Sequence, residues 1–168
     1  MNDMLDLAER FLDACQDRRI LAATAESCTG GMIIALLTDI PGSSSMVDRG
    51  FVTYSNDAKM EMIGVAKKTL DAHGAVSRET ALEMAAGALA RSRAGIALSV
   101  TGIAGPDGGS EEKPVGLVWF GVAVKGRAPT AEKRLFDNEG RDYIRRQTVR
   151  TALELGLKAL GAPQAEGP

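Results

Sequence analysis

Two short stretches carry the side chains that could do chemistry. The first is Thr24-Ala25-Glu26-Ser27-Cys28-Thr29-Gly30-Gly31, set between two apolar runs. The run before it reads as a buried strand and the run after it as the start of a helix. Such a turn lies at the carboxyl edge of a sheet, where open α/β folds take their ligands. Ser27 is therefore a candidate nucleophile. The N–H groups from Cys28, Thr29, Gly30 and Gly31 are candidate donors to a phosphate or an oxyanion. The alternative is local: Ser27 or Thr29 caps the helix, and the glycines only permit close packing. The stretch is neither a P-loop nor a nucleophile elbow.

The second stretch is Tyr54-Ser55-Asn56-Asp57-Ala58-Lys59. Asn56 or Asp57 can cap a helix running toward Ile63, which puts Tyr54 at a strand end and Lys59 in a first helical turn. Lysine is disfavoured there because that helix end is already positive. The same repulsion, or burial, would depress its pKa from the usual ~10.4, as a general base requires. The alternative is a surface lysine paired with Asp57 or Glu61. His73 is the only histidine, so a Ser-His-Asp hydrolase would have to use it. Its loop setting between Ala72 and Gly74 suits capping or packing better.

Two further elements would complete a site. A buried strand over 96–100 runs into a long loop rich in glycine, beginning at Thr101-Gly102 on the same sheet edge as Ser27. Loops of this length usually serve as lids or binding loops. Thr101 could bond a substrate or the lysine; the alternative is plain turn geometry. The last helix, over 141–160, opens with Arg141, Arg145, Arg146 and Arg150. Arginine opposes the dipole at a helix start, and an anion such as a phosphate would resolve the conflict. The alternative is a solvated basic face balanced by Asp142 and Glu139.

These positions need a frame. Periodicity predicts helices over 2–17, 29–38, 56–63 and 77–93, and strands over 20–25, 47–54, 115–124 and 130–136. Asn2 or Asp3 would cap the first helix. The pair over 115–136 reads as an antiparallel hairpin, and the residues from about 161 onward as a frayed tail.

Composition narrows the function classes. At 168 residues with net charge −2, the chain suits one domain and gives no electrostatic argument for nucleic acid. Aromatic residues are 4% of the chain, too few for base-stacking platforms. No apolar run approaches the ~20 residues that cross a bilayer. The acidic amphipathic N-terminus is unlike a signal peptide, and Cys15 and Cys28 suit a reduced compartment, so the expected location is cytoplasmic. Two cysteines and one histidine form no recognisable metal cluster, and no cofactor is expected.

The blocks Thr24 to Gly31, Gly50-Phe51-Val52-Thr53-Tyr54-Ser55-Asn56, Ala58-Lys59, His73-Gly74-Ala75-Val76-Ser77 and Ser99 to Gly109 together resemble the CinA C-terminal domain family in its stand-alone form. The resemblance runs from about Leu5 to Leu160. It implies a single domain with a core over about 5–160: a three-layer α/β/α sandwich around a five-stranded mixed sheet. It implies hydrolysis of the nicotinamide mononucleotide carboxamide to nicotinate mononucleotide and ammonia, as in pyridine nucleotide salvage. Carried onto this chain, Ser27 is the nucleophile, Lys59 the base and Tyr54 a partner that relays a proton or orients the lysine. Thr101 and Arg141 match further site positions. Cys28 to Gly31 and Gly102 would offer oxyanion donors, and Arg141 would hold the ribose phosphate. The family's members form homo-oligomers. Its competence/damage-inducible label speaks of regulation, and a non-catalytic nucleotide-binding module is the alternative reading.

Overall fold

The computed structural model describes residues 3–163. The expected cap at Asn2 lies outside them, as does the expected tail beyond Pro163. The elements run α1 (Asp3–Asp17), β1 (Ala22–Glu26), α2 (Met32–Thr38), a short 3₁₀ turn (Ser43–Ser45), β2 (Val47–Val52), α3 (Asn56–Ile63), α4 (Lys67–His73), α5 (Arg78–Ala90), β3 (Ile96–Gly102), β4 (Leu117–Val124), β5 (Thr130–Leu135) and α6 (Arg141–Ala159). The five strands form one mixed sheet in the order β2-β1-β3-β4-β5. β1 is parallel to both β2 and β3, while β3–β4 and β4–β5 are antiparallel.

Helices cover both faces, which explains why β1 and β3 are apolar runs without alternation. On one face α1, α2 and α6 pack against Ile96, Leu98, Val100, Val118 and Phe120. Phe11 of α1 is wholly buried there, and truncating such a side chain typically costs about 3–5 kcal/mol. On the other face α3, α4 and α5 pack against Ala23, Ala25 and Ala97. The small side chains on that face let α5 come close. Gly121 of β4 shows how close: a Cβ there would collide with the Ala81 carbonyl of α5. No helix among the described residues is long and apolar enough to cross a membrane.

Several boundaries differ from the sequence expectation. β1 begins two residues later, at Ala22, and takes in Glu26. α2 begins at Met32 rather than Thr29, because Gly30 and Gly31 adopt left-handed backbone, with φ of 58° and 104°. The stretch over 64–74, where the sequence predicts a connection with a short helical turn, holds a full helix, α4. α5 stops at Ala90, short of the expected 93.

The sheet topology makes one edge special. The carboxyl ends of β2, β1 and β3 share it, and Glu26 of β1 pairs with Val52 and Val100. Two backbone bonds extend this register by one residue: Thr53 N–H to the Glu26 carbonyl and Ser27 N–H to the Val100 carbonyl. Thr53 and Ser27 therefore follow β2 and β1 directly, beside Thr101 near the end of β3.

Candidate active site

Ser27 leaves β1 at this edge and starts a tight turn. Its carbonyl accepts the Gly30 N–H at 3.0 Å. The two positive-φ glycines let the chain double back into α2. Neither Ser27 nor Thr29 caps that helix. Glu26 does so, although it is fully buried. Its Oε1 accepts the Ile33 N–H at 2.8 Å and the Thr29 hydroxyl at 2.6 Å. Its Oε2 accepts the Ile34 N–H at 3.0 Å and the Thr24 hydroxyl at 3.2 Å. Those helix N–H groups are thus spent on a side chain and not offered to a ligand. Ser27 N–H is also occupied, and the N–H groups of Cys28, Thr29 and Gly31 have no backbone partner among the described residues.

Lys59 arrives from the opposite layer. Ser55, rather than Asn56 or Asp57, caps α3 by accepting the Ala58 N–H at 3.0 Å. Lys59 then sits in the first turn, 1% exposed. Its Nζ lies 3.0 Å from the Thr53 carbonyl, to which it donates, and 3.0 Å from Ser27 Oγ. Among the described residues no carboxylate pairs with it, so the surface ion pair with Asp57 or Glu61 does not form. Burial pushes its pKa below the usual lysine value. A neutral amine at this distance can accept the Ser27 proton.

The other expected residues gather more loosely. Thr101 is buried beside Ser27, but its hydroxyl donates to the Ala75 carbonyl at 2.8 Å and not to Lys59. Tyr54 is 61% exposed, and its hydroxyl accepts from Arg141 at 3.1 Å; it makes no bond to Lys59. Arg141 also donates to the Gly105 carbonyl at 2.8 Å and so ties the loop after β3 to Tyr54. Gly102 ends β3 so close to β4 that a Cβ would meet Val118 at 2.6 Å. Cys28 is buried in the turn, and burial pushes its thiol up to about 12, so it stays protonated and inert.

Comparison with known sequences decides the family. The model of the CinA C-terminal domain matches residues 4–160. The chain belongs to the CinA C-terminal domain family. Among CinA-family relatives it is 50% identical over 153 residues to the nicotinamide-nucleotide amidohydrolase PncC of Escherichia coli, covering 91% of this chain and 92% of that protein. It is 55% identical over 123 residues to a CinA-like protein of Chloroherpeton thalassium, covering 73% of this chain and 29% of that longer protein. The crystal structure of the competence/damage inducible protein CihA from Agrobacterium tumefaciens superposes with a TM-score of 0.92 at 53% identity, over 96% of this chain and 97% of that one.

Within this CinA-family site, sequence reasoning missed three residues. Glu26 was one; its signal was a charged residue closing an otherwise apolar strand. Arg145 was another. Its Nε and Nη2 donate to the Cys28 and Thr29 carbonyls, both at 3.1 Å, and brace the turn from the α6 side. Thr53 was the third. It had no signal, because its part depends on the register between β1 and β2. His73 stands apart: it ends α4, about half exposed, with Nδ1 3.6 Å from Glu79. A cavity of about 580 Å³ includes Phe120, Arg127, Leu155 and Lys158 in its lining but neither Ser27 nor Lys59.

Proposed function

We propose that this chain is an amidohydrolase that deamidates nicotinamide mononucleotide, with Ser27 as nucleophile and Lys59 as general base. One observation carries the reading: a buried lysine, with no carboxylate partner among the described residues, stands 3.0 Å from a serine hydroxyl at the carboxyl edge of the sheet. The name of the Escherichia coli relative supports the substrate.

An amide needs an activated nucleophile and a protonated leaving nitrogen, and an acyl intermediate splits the task in two. Neutral Lys59 takes the Ser27 proton as Oγ bonds to the carboxamide carbon. The carbonyl oxygen becomes an oxyanion facing the open N–H groups of the turn. One such donor is typically worth about 2.7–4 kcal/mol of barrier. Lys59 then gives its proton to the departing nitrogen, and the C–N bond breaks to leave an ester on Ser27. Water, deprotonated by Lys59, cleaves the ester and restores the serine. In this reading Arg141, with its partner Tyr54, holds the phosphate end, the guanidinium matching phosphate geometry. The same reading takes Thr101 as a support for Ser27, and the chain as a cytoplasmic homo-oligomer that uses no cofactor.

The test is ammonia release from nicotinamide mononucleotide by the purified protein, with Ser27→Ala and Lys59→Ala beside it. Release by the parent and none by either variant is expected. A parent that releases none, or a Ser27→Ala variant that matches it, overturns the reading.

A further inference from the structure

Among the described residues, one buried side-chain polar atom has no hydrogen-bond partner: Oγ1 of Thr53. Such atoms are rare in folded proteins and call for a reason. Thr53 is fully buried and stands next to Ser27 in the β1–β2 register. Alternation puts its side chain on the face of Phe51, which packs into the α3–α5 core. Its carbonyl already accepts from Lys59 Nζ at 3.0 Å.

The chemistry makes the orphan hydroxyl intelligible. A neutral amine has two N–H groups and a lone pair; the ammonium has three N–H groups and no acceptor. When the Ser27 O–H bond breaks, its proton moves to the Lys59 lone pair. The ammonium then needs one more acceptor than the amine did. Two fixed acceptors would also leave one N–H aimed at Ser27 and the leaving nitrogen.

We propose that the Thr53 hydroxyl is a positioning residue for Lys59, accepting from the ammonium that forms during the reaction. The contact is made by rotation about χ1 or through one bridging water. This inference rests on the Ser27–Lys59 reading. The charged and titratable groups around Lys59 do not compete for the part. Cys28, from the turn, is held neutral by burial. Asp57 and Glu61 on α3 form no ion pair with Lys59 among the described residues. Glu83 of α5 bonds to Ala66 N–H and Thr69, and Arg91, just past α5, lies against Gly64. Tyr54 is engaged with Arg141. Glu26 is consumed by α2 and its two threonines.

Thr53→Val, Thr53→Ser and the parent form the experiment. Valine keeps the shape and removes the acceptor. Replacing an unpartnered buried hydroxyl is neutral or stabilising, so the melting temperature stays level or rises. The plateau of kcat falls on the order of tenfold, as expected for one lost hydrogen bond to a charged group. The acid limb of kcat/KM moves to lower pH, because the ammonium is disfavoured. Looser packing around Lys59 would admit water and move that limb the other way. Serine restores both rate and limb. A second readout needs no substrate: titration of the lysine side chains by NMR, with Lys59→Ala to assign the signal, should show Lys59 losing its proton at lower pH in Thr53→Val. An unchanged rate, acid limb and Lys59 titration in Thr53→Val overturns the inference. A parent without ammonia release defeats the amidase reading instead, and the titration still decides the part played by Thr53.

Discussion

The carboxylate of Glu26 accepts the N–H of Ile33 at 2.8 Å, so the residue before Ser27 caps the helix after it. A buried carboxylate is tolerated here because four donors reach its two oxygens. Glu26→Gln keeps the volume but turns an amide NH₂ toward groups that also donate. Leaving such a buried donor unmatched typically costs about 1–3 kcal/mol. The expected outcome is a lower midpoint in urea unfolding and a parallel loss of ammonia release. A variant as stable as the parent would show that the cap does not hold the turn.

With Lys59 as the proposed base, both activity and stability should depend on pH. Its pKa is below the usual value in the folded chain, chiefly through burial. The unfolded chain therefore binds the proton more tightly than the folded one. Stability contributed at this position rises as pH climbs from the folded value toward ~10.4. Lys59→Met abolishes the titration. The stability difference between Lys59→Met and the parent should shift in favour of the parent across that window. Denaturant unfolding at a series of pH values measures it. The rate of the parent should rise with pH through the folded Lys59 value, since only the neutral amine accepts a proton.

How much of this could be read in the chain follows from the range of the interactions. The turn from Ser27 to Gly31 and the odd placement of Lys59 at a helix start are local patterns, and both were visible. So were the antiparallel hairpin and the buried central strands, whose apolar runs announce two covered faces. The meeting of Ser27 and Lys59 spans thirty-two positions, and only the family resemblance paired them. Glu26 hid because a strand-ending glutamate usually faces solvent; three of its four partners lie three to eight residues on, in a turn whose geometry depends on Gly30 and Gly31. Arg145 hid among four arginines. Arg146 and Arg150 form exposed pairs with Asp142 and Asp3, as a solvated basic face would, while Arg145 and Arg141 turn toward backbone carbonyls.

Arg145 offers a clean separation of positioning from binding. It bonds to the carbonyls of Cys28 and Thr29, directly after Ser27. Arg145→Ala should lower kcat by roughly 10–100-fold, since small misplacements of a nucleophile are costly, with KM little changed. Lysine cannot reproduce the two-pronged grip and should rescue poorly. Free guanidinium at millimolar levels should restore part of the rate to Arg145→Ala and leave the parent unaffected. A rise in KM with kcat intact would instead place Arg145 on the substrate.

Arg141 should show the opposite signature. Its guanidinium spans the Gly105 carbonyl and the Tyr54 hydroxyl on the exposed side of the dyad. Neither partner is charged, so the positive charge remains available to an anion. Bonds to a charged group are typically worth about 1.5–3 kcal/mol, or roughly 10–100-fold in affinity. Arg141→Ala should therefore raise KM for nicotinamide mononucleotide by that factor while kcat falls less. Nicotinamide riboside, which lacks the phosphate, should be turned over equally well by variant and parent. If both substrates lose equally, Arg141 acts by holding the loop at Gly105, and the phosphate must be bound elsewhere.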